Sequence, residues 1–284
     1  MKGGGRVKKI RAAAAFIMDM VRTAGRHSVP RSAAALAYFF LLSFFPLLLC
    51  INAFVGLFHV DAQELIASVG RFLPPQAAEL ARDYVQYLSQ NQSPALLLVG
   101  VPGVLLPASA GLRVLLDTMD ELYGHPRETG IKRIAGSVFF SLLFLVTVYL
   151  SIVVILTGDW FLGFVEDILP GELSVLWDFS GVANLWRWLR YVLLFCFVML
   201  LVLALYRLGT PKQHVHPGPM LLSALLCALS LVGASAVFSR FIAMSSRYSV
   251  LYGSLASLII LLLWLYLCGA VLLAGAVFNR VWTK

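Results

Sequence analysis

Long stretches without a charged residue constrain the fold of this chain more than any other feature. Four of them exceed the roughly 20 residues that cross the hydrocarbon core of a bilayer. The four are residues 32–60, 134–158, 213–239 and 248–279, and two shorter runs of the same kind are 94–112 and 191–206. The chain is 60% hydrophobic and only 13% charged, whereas globular proteins run at about 45–50% and 25%. The sequence therefore predicts an all-α, polytopic integral membrane protein with six transmembrane helices.

The six runs also divide the chain into an N-terminal arm and a membrane domain. We predict a basic cytoplasmic amphipathic arm over 1–30 and a six-helix transmembrane domain over 31–284. The predicted spans are approximately 32–59, 94–114, 134–157, 186–207, 217–241 and 249–279.

The distribution of lysine and arginine predicts the orientation of the spans, because these residues accumulate in cytoplasmic loops. The N-terminal segment carries eight, the loop between spans two and three carries four, and the loop between spans four and five and the C-terminal tail carry two each. These sixteen lie on one side and the other six of the 22 on the opposite side. We therefore expect a multi-pass membrane protein with its N and C termini in the cytoplasm. The net charge of +8 is then mostly topology signal, so we expect membrane lipids and no nucleic acid as partners.

Segments outside the spans carry patterns of their own. In the arm, Val7, Ile10, Ala14, Ile17 and Val21 fall on one helix face, which predicts an interfacial amphipathic helix that leads into span one. The external segment 61–93 contains a second apolar stripe that begins at Ala77, and we expect it to pack on the outer ends of the spans. The external segment 159–185 has five acidic and no basic residues. This fits a solvated loop, and a cation vestibule is the alternative.

Span one contains a proline, Pro46, near its middle. Proline lacks an N–H donor and clashes with the carbonyl of Leu42 one turn earlier, so it predicts a kink. A freed carbonyl or a polar side chain that faces lipid has no partner, which predicts that Tyr38, Ser43 and Asn52 point into the bundle. The kink serves either packing alone or a hinge beside a substrate-facing notch.

Span two ends in a charged stretch that includes Arg113, Asp117, Asp120 and Glu121. Arg113 and Asp117 are four residues apart and can therefore pair on one helix face. The stretch is either an amphipathic helix end that lies in cytoplasmic water or a charged gate at the inner mouth.

Near the outer interface between spans five and six, Arg240 and Arg247 could bind lipid phosphate through their planar guanidinium groups, although simple anchoring is the alternative. The four cysteines lie in apolar runs without a close pair, which favours packing over a disulfide or metal site. No sequence template of a hydrolase, metalloprotease or nucleotide-binding enzyme is present, so we expect no catalytic residue, metal or cofactor.

Three stretches carry a resemblance to a known family. They are RSAAALAYFFLLSFFPLLL over 31–49, HPGPMLLSALLCALSLVGASAVFS over 216–239 and YGSLASLIILLLWLYLCGAVLLAGAVFN over 252–279. In order and over nearly the whole chain, they resemble the YihY/virulence factor BrkB family of bacterial inner-membrane proteins. Many relatives have an acidic residue where this chain has Val277. The resemblance implies six transmembrane helices and no settled activity, and some members have been labelled ribonuclease BN.

These observations lead to two hypotheses about function. The first is a transporter-like protein that moves lipid or another amphiphile, because broken helices and polar positions occur together without an enzyme motif. The second is a non-transporting structural or interaction protein of envelope biogenesis, and association into a homo-oligomer is left open. We reject a ribonuclease, because no catalytic constellation of carboxylates and histidines is present in the sequence.

Overall fold

The computed structural model describes residues 4–58, 75–89, 95–126, 130–168, 179–211, 216–244 and 255–283. In these ranges all regular structure is α-helical. The helices are α1 (Gly4–Arg26), α2 (Val29–Phe58), α3 (Pro75–Ser89), α4 (Ala95–Tyr123), α5 (Ile131–Ile168), α6 (Phe179–Gly209), α7 (Pro217–Met244) and α8 (Leu255–Trp282). The all-α class is confirmed.

Six helices in the described part of the chain are long and apolar enough to cross a membrane. Their spanning segments are Val29–Ile51, Leu98–Tyr123, Arg133–Ser151, Tyr191–Gly209, Pro217–Phe241 and Leu255–Trp282. The predicted number of spans is confirmed. The second candidate span continues to Tyr123, nine residues past the predicted boundary at 114, because helix α4 continues to that residue.

The six spans form a ring in chain order. Helix α2 packs on α4, α4 on α5, α5 on α6, α6 on α7, α7 on α8, and α8 closes the ring against α2. Consecutive elements are usually neighbours in space, and here every pair of consecutive spans is in contact. We call the end of the ring where α2, α5 and α7 begin and α4, α6 and α8 end the inner end. It is the end that the charge distribution predicts to be cytoplasmic.

The most extensive interface joins α2 and α4, and glycines of α4 make it close. A Cβ added to Gly103 would lie 3.0 Å from the Cβ of Pro46, and one added to Gly111 would lie 3.2 Å from the Cβ of Phe39. Small residues of this kind let transmembrane helices approach each other. Helix α2 continues through Pro46 without interruption. Pro46 lies against Gly100 and Gly103 of α4. The predicted kink stays a prediction.

Burial is uneven along the ring. At the inner end, α5, α6 and α7 all contribute buried side chains, the outermost being Leu145, Val202 and Ala228. Farther out, none of the described side chains of these three helices is buried; they are residues 146–151, 154, 188–189, 191–201 and 229–241. In contrast, α2 and α8 have buried residues in both halves. The outer half of the ring is therefore packed mainly on the α2–α8 side and where α4 meets α2, since Val104 of α4 is also buried.

Helix α3 covers this α2–α8 side. Ala77, Ala81 and Val85 are buried against both spans, and the Tyr84 ring contacts Phe45 edge-on with centroids 5.5 Å apart. The prediction that this external segment packs on the outer parts of the spans is confirmed.

Candidate functional site

One face of the charged C-terminal part of α4 is buried inside the inner end of the bundle. Leu115 and Met119 are 1% and 0% exposed, and Asp120 between their faces is only 7% exposed. Asp117 and Glu121 on the other side are 38% and 47% exposed, so the two alternatives, a helix end in cytoplasmic water and a charged gate, both stay predictions. The apolar positions of the stretch belong to one buried cluster with residues of α2, α6, α7 and α8, and Asp120 is buried beside them.

Asp117 and Asp120 share one cation, Arg133 of α5. The Arg133 Nη2 atom lies 3.0 Å from Asp117 Oδ1 and 2.7 Å from Asp120 Oδ2. The side chains of Arg133 and Asp120 are 11% and 10% exposed, whereas Asp117 is 38% exposed. A buried carboxylate needs a close, well-oriented partner, and a guanidinium from the neighbouring helix reaches both acids at once. Arg113 is not the partner of Asp117, although their spacing permits such a pair.

A second polar contact joins α4 to the start of α2. The hydroxyl of Thr118 is hydrogen-bonded to the hydroxyl of Ser32 at 2.9 Å, across 86 residues of sequence. Thr118 is 6% exposed, so the bond lies inside the bundle.

A third contact joins the end of α4 to the end of α8. The Asn279 Nδ2 atom donates to the Tyr123 hydroxyl at 2.8 Å, and both residues are buried. The Arg280 guanidinium carbon lies 5.4 Å from the centroid of the Tyr123 ring. The Oδ1 atom of Asn279 is also buried, with no hydrogen-bond partner in the described structure. This oxygen can therefore accept a further hydrogen bond.

We call these groups the closure cluster. Its members are Ser32, Asp117, Thr118, Asp120, Tyr123, Arg133 and Asn279. Close packing surrounds it: the Tyr206 hydroxyl of α6 donates to the Leu272 carbonyl oxygen of α8 at 2.7 Å, and Gly209 lies directly against Met119. The closure cluster therefore ties α4 to α2, α5 and α8 at the inner end.

Only part of this cluster is foreseeable from the sequence. Asp117 and Asp120 are candidates there. In contrast, the sequence indicates Arg133 only as one of the basic residues that orient the spans, and Asn279 only as the last residue of an apolar run. One signal could have identified Asn279, because an amide at the end of a charge-free span needs a buried partner. Nothing local identifies that partner, since Tyr123 lies 156 residues away.

The candidate residues of α2 separate into different environments. Ser43 is 6% exposed and its hydroxyl donates to the Phe40 carbonyl oxygen at 2.9 Å, so its predicted inward direction is confirmed. Tyr38 is 55% exposed on the outer surface, so the prediction that it points into the bundle is wrong. The inward positions of α2 are filled by alanine, leucine and phenylalanine, and an amphipathic tyrosine is tolerated outside. The side chain of Asn52 lies outside the described residues.

The remaining candidates lie apart from the closure cluster. Arg240 is exposed near the outer end of α7, and Arg247 lies outside the described residues. Their predicted lipid-phosphate contact stays a prediction. The described residues contain no group of three or more His, Cys, Asp or Glu side chains that could hold a metal ion. Cys50 and Cys227 are buried, and all four cysteines are free thiols.

Comparison with known proteins identifies relatives over almost the whole chain. The family model described as virulence factor BrkB matches residues 20–284. A Bacillus subtilis (strain 168) protein named ribonuclease-like protein YfkH is 24% identical over 279 residues, which cover 95% of each chain.

Two further relatives carry the name UPF0761 membrane protein. The one from Neisseria meningitidis serogroup B is 25% identical over 93% of this chain and 62% of its own length. One from Vibrio cholerae serotype O1 is 38% identical over 34% of this chain and 31% of its own. No solved structure matches the chain. Because the family model covers all six spans and the closure cluster, this chain belongs to the virulence factor BrkB family of membrane proteins.

Proposed function

We propose that this protein is a transporter that moves lipid or another amphiphile between the two sides of the membrane. The observation that carries the proposal is the contrast between the two ends of the ring. The inner end is held together by a charged and hydrogen-bonded cluster, while none of the described side chains of α5, α6 and α7 outward of Leu145, Val202 and Ala228 is buried.

The chemistry of the closure cluster supports opening. A buried ion pair in a bundle is weak support for stability, because apolar residues of similar volume often stabilise a core as well or better. Ion pairs and hydroxyl contacts can exchange their partners for water when helices separate. Ionisable residues within a span are a default sign of function, and Asp120 is such a residue.

The side chains on the outer halves of α5 to α7 favour an apolar cargo. Residues 191–201 of α6 read YVLLFCFVMLL, without a charge. On α5, the Thr147 hydroxyl donates to the Leu143 carbonyl oxygen and the Ser151 hydroxyl to that of Thr147, both at 2.8 Å. The Tyr149 hydroxyl donates a hydrogen bond to the backbone carbonyl oxygen of Cys50 at 3.1 Å. Because these hydroxyls already have partners within the protein, the surface suits acyl chains better than ions.

The test locks the closure cluster. Ser32→Cys with Thr118→Cys places two thiols where two hydroxyls lie 2.9 Å apart, so oxidation can join α2 to α4. The protein is reconstituted in vesicles that contain a short-chain fluorescent phospholipid, and albumin extracts the label from the outer leaflet. We expect the reduced double variant and each single variant to expose lipid from both leaflets. In vesicles with the oxidised double variant, albumin should extract label from the outer leaflet only, because the disulfide holds α2 against α4.

The rival hypothesis makes the opposite prediction. A non-transporting structural or interaction protein of envelope biogenesis leaves extraction unchanged in every redox state, and wild-type vesicles then match protein-free vesicles. We further propose that the chain is not an enzyme, and that the ribonuclease-like name of the Bacillus relative does not describe its activity.

A further inference from the structure

Helix α1 has one apolar face that packs on the membrane domain. The Phe16 ring contacts Phe278 and Trp282 of α8 edge-on, with centroids 5.4 and 5.8 Å apart. Met20 and Ala24, one and two turns further along, pack against the buried core at the inner end. This face fixes α1 beside the last turn of α8.

A different face of α1 is apolar and uncovered. Ile17, Met18 and Val21 are 61%, 53% and 63% exposed, and Ala14 is exposed beside them. At 100° per residue these four positions fall within a sector of about 100° that is separate from Phe16 and Met20. Packing within the chain does not account for this second apolar face.

Arginines border the uncovered face along one edge. Arg11, Arg22 and Arg26 are exposed and fall within roughly 80° of Met18 around the helix axis. An apolar sector bordered by arginine is the pattern of helices that lie in the interface of an anionic bilayer.

The position of α1 places this face at the level of the headgroups. Only His27 and Ser28 separate α1 from α2, and Ser28 makes the turn with a left-handed φ of 51°. The contact with Trp282 lies at the inner end of the last span.

We propose that Ala14, Ile17, Met18 and Val21 insert into the leaflet at the inner end and that Arg11, Arg22 and Arg26 bind the phosphates of anionic phospholipids. This assignment is independent of transport, because a protein that moves no lipid would still hold α1 in this way.

The first test uses two neighbouring alanines as a matched pair. Ala14 and Ala15 are both exposed but point about 100° apart around the helix. Ala14→Cys and Ala15→Cys are spin-labelled in the full-length protein, in vesicles of phosphatidylcholine and phosphatidylglycerol. Wild-type protein gives the background from native cysteines. We expect the label at 14 to collide with oxygen, which dissolves in lipid, and the label at 15 with a water-soluble nickel complex. Val21→Cys and Asp19→Cys repeat the comparison.

Two outcomes would overturn the insertion. Equal nickel accessibility at 14 and 15 would place the uncovered face in water. Protection of positions 14 and 21 from both reagents would place it against protein, such as a second copy of the chain.

The second test addresses the headgroup. A fluorophore attached to the thiol of the Ala14→Cys variant is quenched by brominated phosphatidylglycerol or by brominated phosphatidylcholine at equal mole fraction. We expect stronger quenching by the anionic lipid, with the preference falling by up to about fivefold for each arginine changed to glutamine, since a basic residue near an anionic surface contributes about that factor. Equal quenching by the two lipids, with all three arginines in place, would refute anionic recognition.

Discussion

Gly275 of α8 lies against Tyr206 of α6, and this contact gives a prediction with a calculable sign. A Cβ at position 275 would overlap the Tyr206 hydroxyl and lie 3.1 Å from the Cβ of Cys227. Tyr206 is 0% exposed, and its hydroxyl is held by the Leu272 carbonyl oxygen at 2.7 Å. The ring therefore has no open space into which it can turn.

Gly275→Ala combines two opposing effects. Alanine favours a helix over glycine by about 1 kcal/mol, whereas overpacking a filled core costs about 1–3 kcal/mol. Because the added methyl group meets a fixed hydroxyl, overpacking should dominate, with a net loss of up to about 2 kcal/mol. Tyr206→Phe alone should cost about 0.5–1.5 kcal/mol through its lost hydrogen bond.

The double variant separates the clash from a general weakness of α8. Without the hydroxyl, the closest ring atom to the new Cβ is Cζ, at 3.2 Å, which is a tight but tolerable contact. Gly275→Ala should then cost less in the Tyr206→Phe background, with a coupling of up to about 2 kcal/mol between the two sites, while the contact with the Cys227 Cβ at 3.1 Å remains.

The assay is unfolding in mixed micelles with a rising fraction of denaturing detergent, followed by circular dichroism. Gly233→Ala on α7 is the matched control, since a Cβ there meets nothing within 4 Å, and it should be neutral or stabilising. The reasoning is refuted if Gly275→Ala is as harmless as Gly233→Ala, or if the costs of Gly275→Ala and Tyr206→Phe simply add.

Three further predictions concern the closure cluster, the topology and the activity. Arg133→Leu should lower the unfolding free energy in the same assay by about 3–5 kcal/mol, because it removes one partner of a buried ion pair; a loss under about 1 kcal/mol would contradict this role. Cysteines near Gly171 should react with an impermeant reagent from outside intact cells, and cysteines near Lys284 should not; the reverse labelling would overturn the six-span orientation. The purified protein should show no ribonuclease activity, and cleavage that disappears when the histidines of 214–216 are changed would disprove this.

The membrane architecture follows from the sequence because its cause is local. A helix in hydrocarbon satisfies its own backbone groups, and its apolar side chains need no particular partner. Charge-free runs such as 134–158 and 248–279 therefore identify spans without knowledge of the packing. The same holds for α1, where the predicted stripe includes Ile17 and Val21, and both are exposed along one side of the helix.

The closure cluster could be predicted only in part, because its contacts depend on pairs of residues. Asp117 could pair with Arg113 by spacing, but the packing of α4 on α5 brings Arg133 within 3.0 Å. Helical periodicity also predicts which residues share a face with Tyr38 but not whether that face is buried.

The sequence by itself determined the number of spans, the helical class and the amphipathic first helix, since each depends on the match between a segment and its solvent. The tertiary structure alone decided that Asp120 of α4 is buried, that Asn279 contacts Tyr123 and that Tyr38 faces outward. Those outcomes depend on which helices pack together across many residues of intervening chain, and local periodicity carries no information about that choice.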